Sequence, residues 1–259
     1  MTIWKSLTIG TILCLATGSA MAEPMRTRLT RDNRFPDLGR TQLSLDLRYE
    51  ESEQMVMDPL NFAMLQDVDR YELAPEVRYQ AFPTVSLLAR VPFVSVDPDM
   101  GSSQSGLGDI DIGFAWLAYE GIFTYPFLIP HATLHLDTGS ERKGLGRGET
   151  GFTLGATLGT RRWEDIIFNL DGSYTIFDDS DNVAAVALSI IWELNDKLSV
   201  HSEGRVTDED FGPDDDTPYL ILGGLSYRPY DRLHWTVYGG GGGNGEPDMT
   251  VGFRVTYGL

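Results

Sequence analysis

The chain has 259 residues and 42% hydrophobic residues, with 20 Lys and Arg against 38 Asp and Glu, a formal net charge of -18. This acidic balance excludes a nucleic-acid-binding surface and a peripheral protein docked on anionic lipid. Length alone leaves the domain count open, and past the N-terminus no run of about 18 apolar residues appears, so helical membrane spans are excluded.

Residues 1-22, MTIWKSLTIGTILCLATGSAMA, combine Lys5, an apolar stretch from Leu7 to Ala16 and the ending Ala20-Met21-Ala22. They read as a secretory signal peptide cleaved before Glu23. The single cysteine, Cys14, falls inside it, and Leu13 stands where a lipoprotein signal requires a small residue. An exported chain without disulfides is expected, which excludes a small stapled scaffold. Residues 23-40 form a basic arm holding Arg26, Arg28, Arg31, Arg34 and Arg40. It reads as a periplasmic tail or as a segment folded into the interior of the structure that follows, and both readings stay open.

From residue 41 onward the apolar residues recur with period two, and no segment carries a helical stripe. Leu43, Leu45, Leu47 and Tyr49 share one face of the first segment; Asp46, Arg48 and Glu50 share the other. Alternation predicts about a dozen strands, near 41-50, 70-81, 85-95, 108-118, 127-137, 150-161, 166-177, 183-194, 198-207, 218-228, 232-240 and 248-259. Pro75 and Pro92 each remove a ladder donor, which weakens the second and third of these. Short links alternate with longer polar ones at 51-69, 96-107, 138-149, 208-217 and 241-247. Trp116, Trp163, Trp192 and Trp235 all fall beside the short links, where an aromatic girdle would sit. Together these features predict an all-β chain, an up-and-down antiparallel transmembrane β-barrel over residues 41-259 in the outer membrane of a Gram-negative cell. The strand from Met249 to Leu259 would close it and be read by the barrel-assembly machinery.

The stretch Ser105-Gly-Leu-Gly-Asp-Ile-Asp-Ile-Gly-Phe-Ala-Trp-Leu117 tests this reading. No lysine follows its glycines and no helix begins, so a phosphate loop is excluded. Asp109 and Asp111, two apart, share a face opposite Ile110, Ile112, Phe114 and Trp116. A carboxylate pair can bind a metal or share a proton, but two lumen carboxylates beside a lipid-facing row account for the pattern more simply. The other inward rows supply Asp46, Glu72, Glu76, Asp137, Asp171 and Glu203 against Arg48, Arg78, Arg90, Arg161, Arg205, Arg228 and Arg254. This near balance predicts a polar lumen cross-linked by ion pairs, either a narrow pore or one largely closed. His131 and His135 share an inward face, with His201 and His234 on other strands. No nucleophile is placed beside them by spacing, so they are expected to be lumen residues, with no metal, cofactor or catalytic site. Residues 207-216, TDEDFGPDDD, lack a calcium-loop register and read as an outer loop bridged by divalent ions to lipopolysaccharide.

GLGDIDIGFAWL, followed by LHLDTGSERKGLGRGETGFTLGATLGTR at 134-161, resembles the outer-membrane transporter family labelled MetA-pathway of phenol degradation. In that family a Gly-x-Gly-Asp strand precedes a Leu-x-Leu-Pro-Thr-Gly strand end and a glycine-rich loop. Thr138-Gly139 match, while Asp137 replaces the usual proline; the likeness covers residues 105-259. The resemblance implies a channel or uptake protein for small molecules, including aromatic or apolar ones, and supplies no catalytic residues. A structural barrel with a closed lumen and an outer-membrane lipid-modifying enzyme are the alternatives.

Overall fold

The computed structural model of the chain describes residues 27-31, 39-57, 63-208 and 217-259. The expected signal segment and most of the acidic 207-216 loop lie outside these residues. Among the described residues fifteen strands follow one another: β1 (Thr41–Met57), β2 (Ala63–Phe82), β3 (Val85–Arg90), β4 (Phe93–Pro98), β5 (Gln104–Leu107), β6 (Ile110–Trp116), β7 (Tyr119–Glu120), β8 (Phe127–Leu136), β9 (Gly151–Arg162), β10 (Ile166–Phe177), β11 (Val183–Asn195), β12 (Leu198–Asp208), β13 (Tyr219–Tyr230), β14 (Leu233–Gly243) and β15 (Met249–Gly258). All pair antiparallel in one sheet, and β1 pairs both β2 and β15, so the sheet closes on itself. A closed sheet has no edge, which is what a spanning β structure requires in lipid.

The barrel has twelve staves. β3 and β4 form one stave, since both hold the same register on β2 and are separated only at Val91-Pro92. There Val91 still donates to the Pro75 carbonyl (3.0 Å), and Gly108 donates to that of Pro92 (2.8 Å). The two prolines thus cost ladder donors without breaking the wall. β5, β6 and β7 form the next stave, interrupted at Gly108-Asp109 and at Leu117-Ala118.

The outward rows are apolar and exposed throughout: Leu43, Leu45 and Leu47 on β1, Ile112, Phe114 and Trp116 on β6, Val186, Leu188 and Ile190 on β11, and Val251 and Phe253 on β15. Such a continuous apolar exterior is stable only against acyl chains. Trp116, Trp163, Trp192 and Trp235, between 41% and 69% exposed, ring the short-turn end as expected. That end is the periplasmic one in barrels of this architecture.

One loop expectation is corrected. Residues 51-69 are largely strand: β1 pairs β15 only as far as Glu51, but continues opposite β2 from Ser52↔Val68 to Met57↔Ala63. The hairpin therefore rises above the outer rim as a ribbon, because its two strands satisfy each other's backbone groups without the neighbouring wall.

Candidate functional site: the lumen and its arm

The predicted lumen residues turn inward and join across staves. On the outer half of the barrel Arg48 donates to Glu72 (2.6 Å) and contacts Glu50 (3.2 Å). Arg90 donates to the same Glu72 and to Asp111 (3.1 Å). Asp111 accepts from His135 Nδ1 (2.7 Å), whose Nε2 lies 2.8 Å from the Thr153 hydroxyl, and Thr153 meets Thr175 at 2.7 Å. This chain of contacts runs through β1, β2, β3, β6, β8, β9 and β10, belting about half the lumen. Each charge meets an opposite one or a hydroxyl, as partly buried charges must. Elsewhere Asp46 accepts twice from Arg254 (2.7 and 3.0 Å) and once from the Tyr238 hydroxyl (2.7 Å). Asp171 meets His131 (2.9 Å) and accepts from Thr157. Arg205 pairs with Glu246 (2.6 Å), and Arg78 lies 3.5 Å from Glu76 on its own strand.

Two predicted residues do something else. Asp109 borders the lumen, but its carboxylate accepts the backbone N–H groups of Thr138 (3.2 Å), Gly139 (2.8 Å) and Arg147 (2.6 Å), clasping the outer loop to the start of β6. A Cβ on Gly139 would sit 2.9 Å from Asp109 Oδ1 and 2.7 Å from Gly146 Cα, so the Gly-Asp, Thr-Gly and Gly-rich signatures describe one clasp. Arg228 is held at the periplasmic turn, where its guanidinium donates to the Asp196 carbonyl (2.5 Å). Its position beyond the β13 irregularity after Tyr227 takes it out of the ion-pair belt.

The expectation of a polar lumen throughout is also corrected. Toward the periplasmic end Phe127, Ile129, Ile167 and Ile191 point inward and are fully buried. The Phe127 ring occupies the space that a Cβ on Gly159, its ladder partner, would need. The lower lumen on this side is a packed apolar core, bounded by Ala115, Leu117 and Tyr125.

The arm completes the interior. Residues 27-31 lie inside the lumen at mid-height, which removes them from the periplasm below. Glu203 accepts the main-chain N–H of Arg28 (2.8 and 3.0 Å) and of Leu29 (2.6 Å), with His201 Nε2 3.6 Å away. Thr27 donates to the Thr30 carbonyl (2.9 Å), making a tight turn, and the Thr30 hydroxyl meets Ser189 at 2.7 Å. Arg28 lies 5.3 Å above the Tyr238 ring and 3.8 Å from Glu50. Leu29 packs against Leu220, Leu222 and Tyr238.

An outer and an inner cavity lie on either side of this layer among the described residues. The outer one, about 1100 Å³, is floored by Arg28, Leu29, Thr30 and Arg31; the inner one, about 310 Å³, lies at the periplasmic turns. The residues between them follow each stave: Ala187 lines the outer cavity and Glu193 the inner, with Ser189 and Ile191 fully buried in between. On β12 Arg205 lines the outer and Ser199 the inner, with Glu203 and His201 buried between. Along these two staves the arm and the buried side chains separate the outer cavity from the inner one. Among the described residues no group of three or more His, Cys, Asp and Glu could hold a metal ion.

A closed antiparallel barrel with a lipid-facing exterior and a belted lumen defines a transmembrane barrel of the outer-membrane type. The chain belongs to the family described as "Putative MetA-pathway of phenol degradation", which matches residues 69–257. An outer membrane channel from Pseudomonas putida F1 is similar in structure at 13% identity, over 88% of this chain and 98% of that one, with a TM-score of 0.72. The KdgM porin in complex with oligogalacturonate is similar over 83% and 98% at 13% identity, with a TM-score of 0.54. The translocator domain of the autotransporter NalP from Neisseria meningitidis follows at 12% identity over 85% and 88%, with a TM-score of 0.52. These likenesses are of fold. No curated protein matches the chain in sequence.

Proposed function

We propose that this chain is an outer-membrane channel of a Gram-negative cell that takes up small molecules, apolar or aromatic ones among them, past a displaceable arm. The observation that carries the reading is the outer cavity of about 1100 Å³, open above a floor made by the chain's own N-terminal segment. That floor is held by hydrogen bonds to Glu203 and Ser189, by Arg28 beside Tyr238 and Glu50 and by the packing of Leu29, all outside the strand ladder, so a solute can displace it without unfolding a strand. The cavity wall combines paired charges with Phe177, Val183, Ala185, Ala187 and Pro218, a surface that accepts molecules with an apolar body and a polar group. Membership in the phenol-degradation family supports the same solute class. The KdgM porin forms a complex with oligogalacturonate, but here the lumen arginines are matched by carboxylates, so an acidic oligosaccharide is a poor fit.

The reading contains no catalytic step. It includes two partners besides the solute: the assembly machinery, reading β15 as the closing strand, and lipopolysaccharide, bridged by divalent ions to the acidic outer loops. Uptake of radiolabelled p-cresol by intact cells tests the central part. Cells lacking the chain should take it up more slowly, and equal initial rates would contradict the reading. The layer between the two cavities favours a second reading, a structural barrel that passes nothing, and equal rates would support it.

A further inference from the structure

Apart from the lower apolar core, Leu220 and Leu222 of β13 and Tyr238 of β14 form an apolar patch beside the charged belt, 3%, 1% and 3% exposed. Leu29 of the arm packs against this cluster and also faces the outer cavity, with Arg28 lying over the Tyr238 ring beside it. The patch continues upward, since Pro218 precedes it on the same stave and lines the mouth. Polar groups stand at its edge: the Tyr238 hydroxyl on Asp46, and Glu203, which holds the Leu29 N–H. Leu29 thus occupies an apolar niche with hydrogen-bonding groups beside it, as a bound molecule with an apolar body and a polar head would.

We infer that the Leu220–Leu222–Tyr238 patch is the solute-binding site of the lumen, that it takes the apolar body of a small alkyl or aromatic molecule, and that Leu29 is its internal competitor. The inference rests on the uptake reading and adds to it the place where the solute binds. Apolar surface of this size is left exposed to water when Leu29 withdraws, so an incoming apolar group and the arm's return are alternatives for the same niche. Binding of solute and release of the arm are then one event, and a molecule lacking an apolar body cannot cause it.

The test is equilibrium binding of p-fluorophenol to the full mature chain in lipid nanodiscs, followed by fluorine NMR, with protein-free discs subtracted and glycerol as the apolar-free control. Saturable binding to the unaltered protein is expected. Leu29→Ser, which removes the competitor, should tighten it by about tenfold, the penalty a closed state imposes on a ligand of the open one. Leu222→Asn should abolish it, and Leu220→Ser provides a second variant should the first not assemble. Equal affinity in the unaltered protein, Leu29→Ser and the patch variants would overturn the inference, as would absence of saturable binding in Leu29→Ser. Failure here with p-cresol uptake intact removes the site and leaves the channel; loss of uptake dependence with binding intact removes the channel and leaves the site.

Discussion

The carboxylate of Glu203 accepts the main-chain N–H of Leu29 at 2.6 Å across 174 positions of sequence, and the same carboxylate holds Arg28. Hydrogen bonds to a buried carboxylate contribute about 1.5–3 kcal/mol each. Glu203 is therefore the group that fixes the arm, and Glu203→Ala, which removes the bonds to both residues, should shift the arm toward release by about two orders of magnitude or more. Single-channel recording should show a higher open fraction for Glu203→Ala and a smaller rise for Glu203→Gln, which keeps an acceptor oxygen. Unaltered recordings for both would mean that the arm is held elsewhere.

Gly159 makes room for the Phe127 ring. Gly159→Leu should overpack the lower lumen at a cost of about 1–3 kcal/mol, read as a lower denaturant midpoint for the heat-modifiable barrel. Phe127→Ala in the same background should recover part of the loss, whereas Gly172→Leu, at a position where an added Cβ meets nothing within 4 Å, should cost little.

Arg90 bridges Glu72 and Asp111. Arg90→Met leaves both carboxylates short of a partner and should destabilise the barrel by about 3–5 kcal/mol if the site is dry, less where lumen water reaches it. Arg162→Met, at the exposed periplasmic turn, should change stability by under about 1 kcal/mol. Equal effects would show that the belt adds nothing beyond surface charge.

Most of the wall was legible in the alternation, because a bilayer outside and a lumen inside impose period two on every stave. The interior was less so. Phe127-Leu-Ile129, Ile166-Ile-Phe168 and Ile190-Ile-Trp192 are apolar on both faces, the pattern of strands buried on both sides, and this marks the lower core that a uniformly polar lumen does not contain. Glu203, Asp111 and His135 were recognisable as inward, but their partners lie on other staves and only the register brings them together. The arm was the least legible element. Its arginines dominate its composition, while the contacts that hold it add Thr30, Leu29 and backbone N–H groups to the Arg28 side chain. Asp109 was placed on the right face, yet its clasp on Gly139 depends on a loop conformation that spacing does not reveal.

Glu149, in the outer loop before β9, accepts from the Ser180 hydroxyl (2.6 Å) and the N–H groups of Ser180 (2.9 Å) and Asp179 (3.2 Å), which hold its carboxyl below the usual glutamate range. A depressed carboxylate stabilises the folded loop above its unfolded pKa and loses that contribution as pH falls through the folded one. Protease resistance of the 178–182 loop should hold at neutral pH and fall below about pH 4, and Glu149→Gln should remove that dependence. An unaltered acid profile in the variant would contradict the clasp.

The most direct test of the arm as a floor is single-channel conductance in planar bilayers of the unaltered chain beside a variant lacking residues 25 to 38. If the arm forms the floor of the outer cavity, the unaltered protein gives small, mostly closed currents and the deletion raises the open conductance several-fold. Equal conductance in the two proteins would contradict the account.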